Sequence, residues 1–107
     1  MARIVNLNLE GQPWGGLARN ERLEVPIETR EGFHAQMLVM GDGVWAGEYR
    51  ASEQVYFVLR GNAFFEGAER MGLHAGQAVV YAPGEPHTIR VETGAVLLHW
   101  SFGEVRG

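Results

Sequence analysis

The sequence contains no cysteine, no lysine and no long apolar run, and each absence excludes a class of protein. Without cysteine the chain can form neither disulfides nor thiolate metal sites. No apolar stretch approaches the roughly 18 residues of a membrane span, so no membrane partner is predicted. The first residues, MARIVNLNLEG, lack the apolar centre of a signal peptide, so a cytoplasmic location is expected.

Basic residues are few and dispersed. All nine basic side chains are arginines, and they stand singly along the chain. The formal net charge is −4 and the isoelectric point is about 5.5. A phosphate-binding surface needs a basic patch, so we expect no nucleic acid partner.

The composition is that of one folded domain. The chain has 107 residues, of which 46% are hydrophobic and 21% charged. No window shows sustained helical periodicity, and 15 glycines separate short apolar runs. This pattern favours an all-β sandwich or barrel. We predict a single domain over residues 1–107, with N-terminal strands or an arm over 1–27 and a core barrel over 33–102.

Alternation and turn signals predict a series of short strands. In chain order they are Arg3–Leu9, Arg22–Ile27, Phe33–Met40, Val44–Arg50, Val55–Arg60, Ala63–Glu66, Arg70–Leu73, Gln77–Ala82, His87–Val91 and Ala95–Phe102. Asp42-Gly43 is typical of a hairpin turn, and Gly61-Asn62 is predicted to reverse the chain. Such a meander fits a small jelly roll.

One stretch organises the chain, Gly76–His87, with the sequence GQAVVYAPGEPH. Its apolar run Ala78–Ala82 predicts a buried strand, which must stop at Pro83-Gly84 because proline cannot donate to a sheet ladder. Pro86 then favours extended backbone before it, which directs His87 into the next strand. We therefore predict a strand, a rigid corner and a fixed imidazole.

This stretch resembles the second conserved motif of the cupin family. Gly76, Gly84, Pro86 and His87 match that pattern, while the usual corner proline is shifted by one position. The segment QVYFVLRG, Gln54–Gly61, looks like the end of the family's first motif. The resemblance covers most of the chain and implies a double-stranded β-helix, the jelly-roll barrel of small cupins.

The resemblance also implies four positions that converge on a divalent metal inside the barrel. At these positions the sequence has, in chain order, Glu48, Arg50, Gln54 and His87. A second permitted spacing would instead use Gly47 and Tyr49, which suit metal chemistry less well. Residues two apart on a strand share a face, so the first two of these four side chains can point the same way.

Three interpretations of this site stay open. In the first, Glu48, Gln54 and His87 bind iron, manganese, nickel or zinc weakly, because Arg50 stays protonated and repels a cation. In the second, the polar groups form an internal network that only holds strands together.

In the third interpretation, a metal-free pocket binds a small anionic metabolite. Arg50 anchors the ligand, Glu48, Gln54 and His87 are polar neighbours, and the pocket wall is formed by Tyr56 and Val58.

The other histidines are His34, His74 and His99. His34 alternates with the apolar set Phe33, Ala35, Met37 and Val39. If that set faces the core, His34 lies outside; if the barrel interior is the more polar side, His34 could complete the site. His74 is expected in solvent, and His99 outside or at an interface, because it stands opposite an apolar set.

The sequence thus predicts a small-molecule-binding cupin, with two alternatives. One is a cupin enzyme, an isomerase, epimerase or metal-dependent dioxygenase, in which His87 is an acid–base group or a metal ligand. The other is a structural or interaction module. A homodimer is also predicted, because Trp45, Tyr49, Phe57 and Leu59 are expected to form an outward apolar patch.

Overall fold

The computed structural model describes residues 2–5, 7, 17–46 and 52–103. These residues form strands and no helix, so none of them lies in a helix that could cross a membrane. The strands are β1 (Arg22–Arg30), β2 (Phe33–Met40), β3 (Gly43–Ala46), β4 (Glu53–Glu66), β5 (Arg70–His74), β6 (Ala78–Tyr81), β7 (Thr88–Val91) and β8 (Ala95–Phe102).

The strands form two antiparallel sheets that share one long strand. The first sheet has the order β1-β2-β8-β4-β6, and the second has the order β3-β7-β4-β5. The amino-terminal half of β4 belongs to the first sheet and the carboxy-terminal half to the second. This curled arrangement confirms the predicted all-β jelly roll.

Gly61 marks a bend in β4 rather than the predicted reversal of the chain. Its φ is 80°, and a Cβ atom there would lie 2.5 Å from the carbonyl oxygen of Gly94. Only glycine combines that backbone with so close an approach. The chain continues through Asn62, which already pairs with β5, so the prediction of a turn at Gly61-Asn62 was wrong.

A β-bulge next to this bend exchanges the faces of β4. The register with β8 shifts between Val58 and Arg60. Before the bulge the even-numbered Tyr56 and Val58 are buried, whereas after it the odd-numbered Ala63 and Phe65 are buried. One extra residue in a strand inverts the alternation of side chains, so both halves of β4 face the same core.

The main core lies between the two sheets. Its members come from the six strands β2 and β4 to β8: Leu38, Met40, Tyr56, Val58, Ala63, Phe65, Leu73, Val79, Tyr81, Ile89, Val91, Ala95 and Leu97. Trp45 is half-buried and packs against this core. The expectation that Trp45 points outward was therefore wrong.

A second apolar cluster covers the outer face of the first sheet. Met37, Val39 and Val96 are buried there against Leu7, Leu17, Val25 and Leu98. The wholly apolar face of β2 thus points away from the space between the sheets. The opposite face, which carries His34, points towards it, because Leu38 and Met40 on that face belong to the main core.

The remaining strand predictions were correct in part. The bounds of β2 and β8 are as predicted, and β1 is longer because Pro26 and a bulge beside it are tolerated in an edge strand. Asp42-Gly43 does not form a hairpin: β3 pairs with β7, not with β2. Residues 2–5 and 7 are not in a strand, and the rest of the predicted strand Arg3–Leu9 lies outside the described residues.

Candidate functional site

His87 is held at the end of the corner that the sequence predicted. Its Nδ1 lies 3.0 Å from the carbonyl oxygen of Glu85, and its Nε2 lies 2.8 Å from the Tyr56 hydroxyl. A carbonyl can only accept, so Nδ1–H donates to it and Nε2 accepts from Tyr56. The ring is buried, and burial lowers the pKa of His87 below its usual value, although the Glu85 carbonyl and carboxylate act in the opposite direction. His87 is therefore a neutral imidazole of one defined tautomer.

Tyr81 completes this group, which we call the corner cluster: Tyr56, Tyr81 and His87. The rings of Tyr81 and His87 are parallel, with centroids 3.9 Å apart and an interplanar angle of 2°. The Tyr81 hydroxyl is buried and has no hydrogen-bond partner in the part of the chain that the structure describes. A buried polar group without a partner costs about 1–3 kcal/mol, so this hydroxyl needs an explanation.

A second set of polar residues, the amide cluster, consists of the buried Gln54 and His99 and the half-buried Gln36 and Ser101. Nε2–H of His99 donates to Oε1 of Gln54 over 2.6 Å, while the Gln36 amide donates to Nδ1 over 3.0 Å. The Gln54 amide donates in turn to Ser101 Oγ at 3.2 Å and to the Ser52 carbonyl at 3.5 Å. This assignment gives each donor a matching acceptor.

His99 is a neutral imidazole as well. Burial lowers its pKa to about 4, and the electrostatic interactions with His34, Arg22 and His87 act in the same direction. The sequence placed His99 outside or at an interface, and that expectation was wrong: the residue is buried between the sheets. His99 points between the sheets for the same reason as His34 on β2: the more apolar face of β8 packs into the second apolar cluster, on the outer face of the first sheet.

Tyr56 connects the two clusters. Its ring stacks on His99 with centroids 4.6 Å apart and an interplanar angle of 13°, while its hydroxyl binds His87. It also packs against Phe65 at 5.2 Å and meets Tyr81 edge-on at 6.3 Å. The result is a continuous run of aromatic rings from β8 to the corner.

An open pocket of about 510 Å³ reaches the corner cluster at His87. It lies where the end of β3, the turn after β4 and the corner before β7 meet, and is lined by Ala46, Glu66, Gly67, Ala68, Glu85, Pro86, His87 and Thr88. Gly67 allows the close approach of two of these segments, since a Cβ there would lie 2.9 Å from the Pro86 carbonyl oxygen. The pocket is thus formed by elements of the second sheet and the corner.

The predicted site residues fall into two groups. Gln54, Tyr56, Val58 and His87 are all buried between the sheets, the first in the amide cluster and the others in the main core or beside it. Glu48 and Arg50 lie outside the described residues.

His34 lies near these residues without joining them. It is half-buried, its Nδ1 is 2.8 Å from the Thr29 hydroxyl oxygen, and its ring centroid is 6.4 Å from that of His99.

Metal ligation, which the resemblance implies, does not fit the donor atoms described here. Nε2 of His87 accepts from Tyr56 and its Nδ1 donates to a carbonyl, so neither nitrogen presents a free lone pair. Oε1 of Gln54 accepts from His99. Within residues 2–5, 7, 17–46 and 52–103, no three His, Asp or Glu side chains are grouped so that they could hold a metal ion.

Four residues of these clusters were not predicted as site residues: Gln36, Tyr81, His99 and Ser101. Tyr81 could have been found, because it ends the strand before the corner and alternates with the buried Val79. The other three could not, because the sequence does not show which faces of β2 and β8 point between the sheets.

Comparison with known proteins supports the fold. No family model matches the chain, and no curated protein matches its sequence. Several solved structures do match. A cupin superfamily protein of Desulfitobacterium hafniense DCB-2 aligns with a TM-score of 0.76 and 15% identity, over 96% of this chain and 100% of that one.

Two further structures are similar. The protein TT1209 of Thermus thermophilus gives a TM-score of 0.69 and 24% identity, over 80% of this chain and 90% of that one. A protein of Ralstonia eutropha JMP134, provisionally named a mannose-6-phosphate isomerase, gives a TM-score of 0.72 and 14% identity, over 96% of this chain and 100% of that one. The chain has the cupin fold that the motif in Gly76–His87 predicted.

Proposed function

We propose that this protein binds a small polar organic molecule beside the corner cluster and does so without a metal. The observation that carries the proposal is the open pocket of about 510 Å³ that ends at His87, a buried neutral imidazole fixed on both nitrogens. Concave pockets with a few fixed polar groups are the usual sites for small ligands.

The finer proposal is that the ligand is anionic and that Arg50 anchors it. The planar guanidinium of arginine can hold two oxygens of a carboxylate or phosphate, with Glu48, Gln54 and His87 as polar neighbours and Tyr56 and Val58 as wall. Two described residues of the pocket, Glu66 and Glu85, are carboxylates. The charged end of an anionic ligand would therefore have to lie away from them.

A thermal-shift screen of carboxylates, phosphates and neutral sugars tests this proposal on the wild type and on Arg50→Lys. Lysine keeps the charge but loses the planar fork, so we expect anions to stabilise the wild type more than the variant. Equal shifts in the two proteins, or shifts with neutral sugars alone, would remove Arg50 as the anchor. If no compound of any class shifts the wild type, the binding function itself loses its support.

The same preparations test whether a metal is present. Because His87 and Gln54 already use their ligating atoms on Tyr56 and His99, we expect iron, manganese, nickel and zinc to be well below one equivalent. About one equivalent of any of them by elemental analysis, lost in His87→Ala, would contradict this expectation.

An isomerase or epimerase is the second candidate function. The hydrogen bond from Tyr56 to Nε2 of His87 joins two buried groups that can exchange a proton, and His87 lines the pocket. The Ralstonia eutropha protein provisionally named an isomerase shares the fold alone. A ligand identified in the screen would be converted to product by the wild type and left unchanged, though still bound, by His87→Ala.

We further propose that the protein is a cytoplasmic homodimer. Phe57 and Leu59 face the outer side of the first sheet, where Val80 of the neighbouring strand β6 is 58% exposed and Leu59 38% exposed. Pairing two such surfaces would remove apolar area from water. Light scattering at micromolar concentration is expected to give twice the 11.9 kDa mass of one chain; a single-chain mass would contradict the dimer.

A further inference from the structure

Tyr81 differs from Tyr56 in the hydrogen bonding of its hydroxyl. Both are buried tyrosines of the main core, and their rings meet edge-on at 6.3 Å. The Tyr56 hydroxyl binds His87, whereas the Tyr81 hydroxyl has no partner in the described part of the chain. A phenylalanine would fill the core at position 81 equally well, so packing does not account for the hydroxyl.

The neighbouring polar groups cannot supply that partner, because their hydrogen-bonding atoms are already engaged. Both nitrogens of His87 and both nitrogens of His99 are used. The amide oxygen and the amide nitrogen of Gln54 are used as well. Among the buried side-chain nitrogen and oxygen atoms that the structure describes, the Tyr81 hydroxyl is the one without a hydrogen-bond partner, so an external group can bind it without breaking an existing bond.

We propose that the Tyr81 hydroxyl binds the ligand directly and that it recognises an uncharged oxygen, a carbonyl or a hydroxyl. The inference rests on the proposed binding function and identifies the group of the ligand that lies against the corner cluster. Any anionic group that Arg50 holds would belong to another part of the same molecule.

The negative charge of Glu85 is the reason that we expect this oxygen to be uncharged. Burial raises the pKa of Tyr81, and the negative charge of Glu85 raises it further, so the hydroxyl keeps its proton and can donate. The same negative charge acts on any group that approaches the hydroxyl. A carboxylate oxygen would be repelled there, whereas a neutral oxygen would accept the hydrogen bond without that penalty.

The first test compares two tyrosine-to-phenylalanine variants without ligand. Tyr81→Phe removes a hydroxyl that has no partner and is expected to raise the melting temperature by about 4 °C or more. Tyr56→Phe is the matched control: it removes a hydroxyl of the same core that does have a partner, and the melting temperature should fall. If Tyr81→Phe lowers the melting temperature as Tyr56→Phe does, the hydroxyl has a structural partner and the inference is wrong.

The second test uses acetamide and acetate, which have the same shape and differ in charge. Crystals of the wild type and of Tyr81→Phe are soaked in each at equal concentration. We expect the acetamide oxygen within hydrogen-bond distance of the Tyr81 hydroxyl in the wild type, and neither compound at that position in the variant.

The outcomes separate this inference from the binding function on which it rests. Acetate at the Tyr81 hydroxyl, or acetamide retained at that position in Tyr81→Phe, would overturn the preference for an uncharged oxygen at this residue. Probes found in the pocket at His87 but never at Tyr81 would overturn the inference and leave the binding function intact. Probes found nowhere between the sheets or in the pocket would count against both.

Discussion

The amide cluster and the corner cluster are adjacent, and both place a neutral imidazole against the ring of Tyr56 or Tyr81. They differ in how completely their hydrogen bonds are satisfied. Around His99 no buried side-chain nitrogen or oxygen that the structure describes lacks a partner, and the groups involved span β2, β4 and β8. Around His87 one hydroxyl is left over and a pocket adjoins the ring. A saturated network holds strands together, whereas an unsaturated one beside a cavity can bind something else.

The sequence left a structural network and a ligand pocket as competing interpretations of one site. The structure contains two clusters of polar residues, and each corresponds to one of these interpretations. The network is the amide cluster, which we expect to determine stability, and the candidate pocket is the corner cluster, which we expect to determine binding. This division of roles can be tested by changing one cluster at a time.

The largest effect is expected for His99→Ala. It removes a buried ring that stacks on Tyr56, and it leaves the amides of Gln36 and Gln54 without their partner. The free energy of unfolding should fall by about 3–5 kcal/mol in urea titrations. His74→Ala is the control, since His74 is exposed and should change stability by less than about 0.5 kcal/mol. Similar values for the two variants would mean that the amide cluster does not hold the sheet together.

The amide cluster should also determine how the stability of the protein depends on pH, through His99. The unfolded chain protonates His99 near pH 6.5, whereas the folded chain resists protonation until about pH 4. Acidification from pH 6.5 to pH 4 therefore favours the unfolded state, and protonation of His99 lowers the free energy of unfolding by about 3 kcal/mol. Above pH 6.5 His99 does not change the free energy of unfolding with pH. Burial lowers the pKa of His87 as well, so it acts in the same direction.

The check is the slope of unfolding free energy against pH for the wild type and for His99→Gln, which cannot titrate at this position. Carboxylates titrate equally in both proteins, so the difference between the slopes isolates the histidine. We expect the variant to lose less stability than the wild type between pH 6.5 and pH 4. Parallel curves would show that His99 is not buried as a neutral group.

The smallest effect is expected for Ser101→Ala. The Gln54 amide donates to Ser101 at 3.2 Å and also to the Ser52 carbonyl at 3.5 Å, so one bond can be lost while the amide keeps a partner. The unfolding free energy should fall by about 0.5–1 kcal/mol. A loss comparable to that of His99→Ala would show that the Ser52 contact does not compensate.

The sequence was most informative where a pattern is local. The bounds of β2 and β8 followed from alternation between turn residues, and the corner with His87 followed from a proline and glycine pattern. Gly61 was identified correctly as an irregular position. Its consequence was not, because a turn and a bulge both use glycine and differ only in what the following residues pair with.

The sequence was least informative about which face of a strand points inward. Both faces of β2 and β8 are covered, one by the main core and the other by Leu7, Leu17 and Val25 from the amino-terminal part of the chain. Apolar alternation identifies the inner face only when the other face meets water. For this reason His99 was placed outside, although it is buried. Trp45 on β3 was assigned to the surface for another reason, because Glu48 and Arg50 were expected to point inward, and it packs against the main core.

The continuity of β4 also constrains how this protein can fold and how its sequence can change. Because β4 pairs with β6 and β8 at one end and with β5 and β7 at the other, neither sheet can be completed without it. Apart from β5, its partners are distant in the chain, which is typical of domains that fold in milliseconds to seconds rather than microseconds. A one-residue deletion at the bulge would rotate one half of β4 relative to the other, turning either Tyr56 or Phe65 out of the core. We therefore expect insertions and deletions to be tolerated in the turns around β4 and not within it.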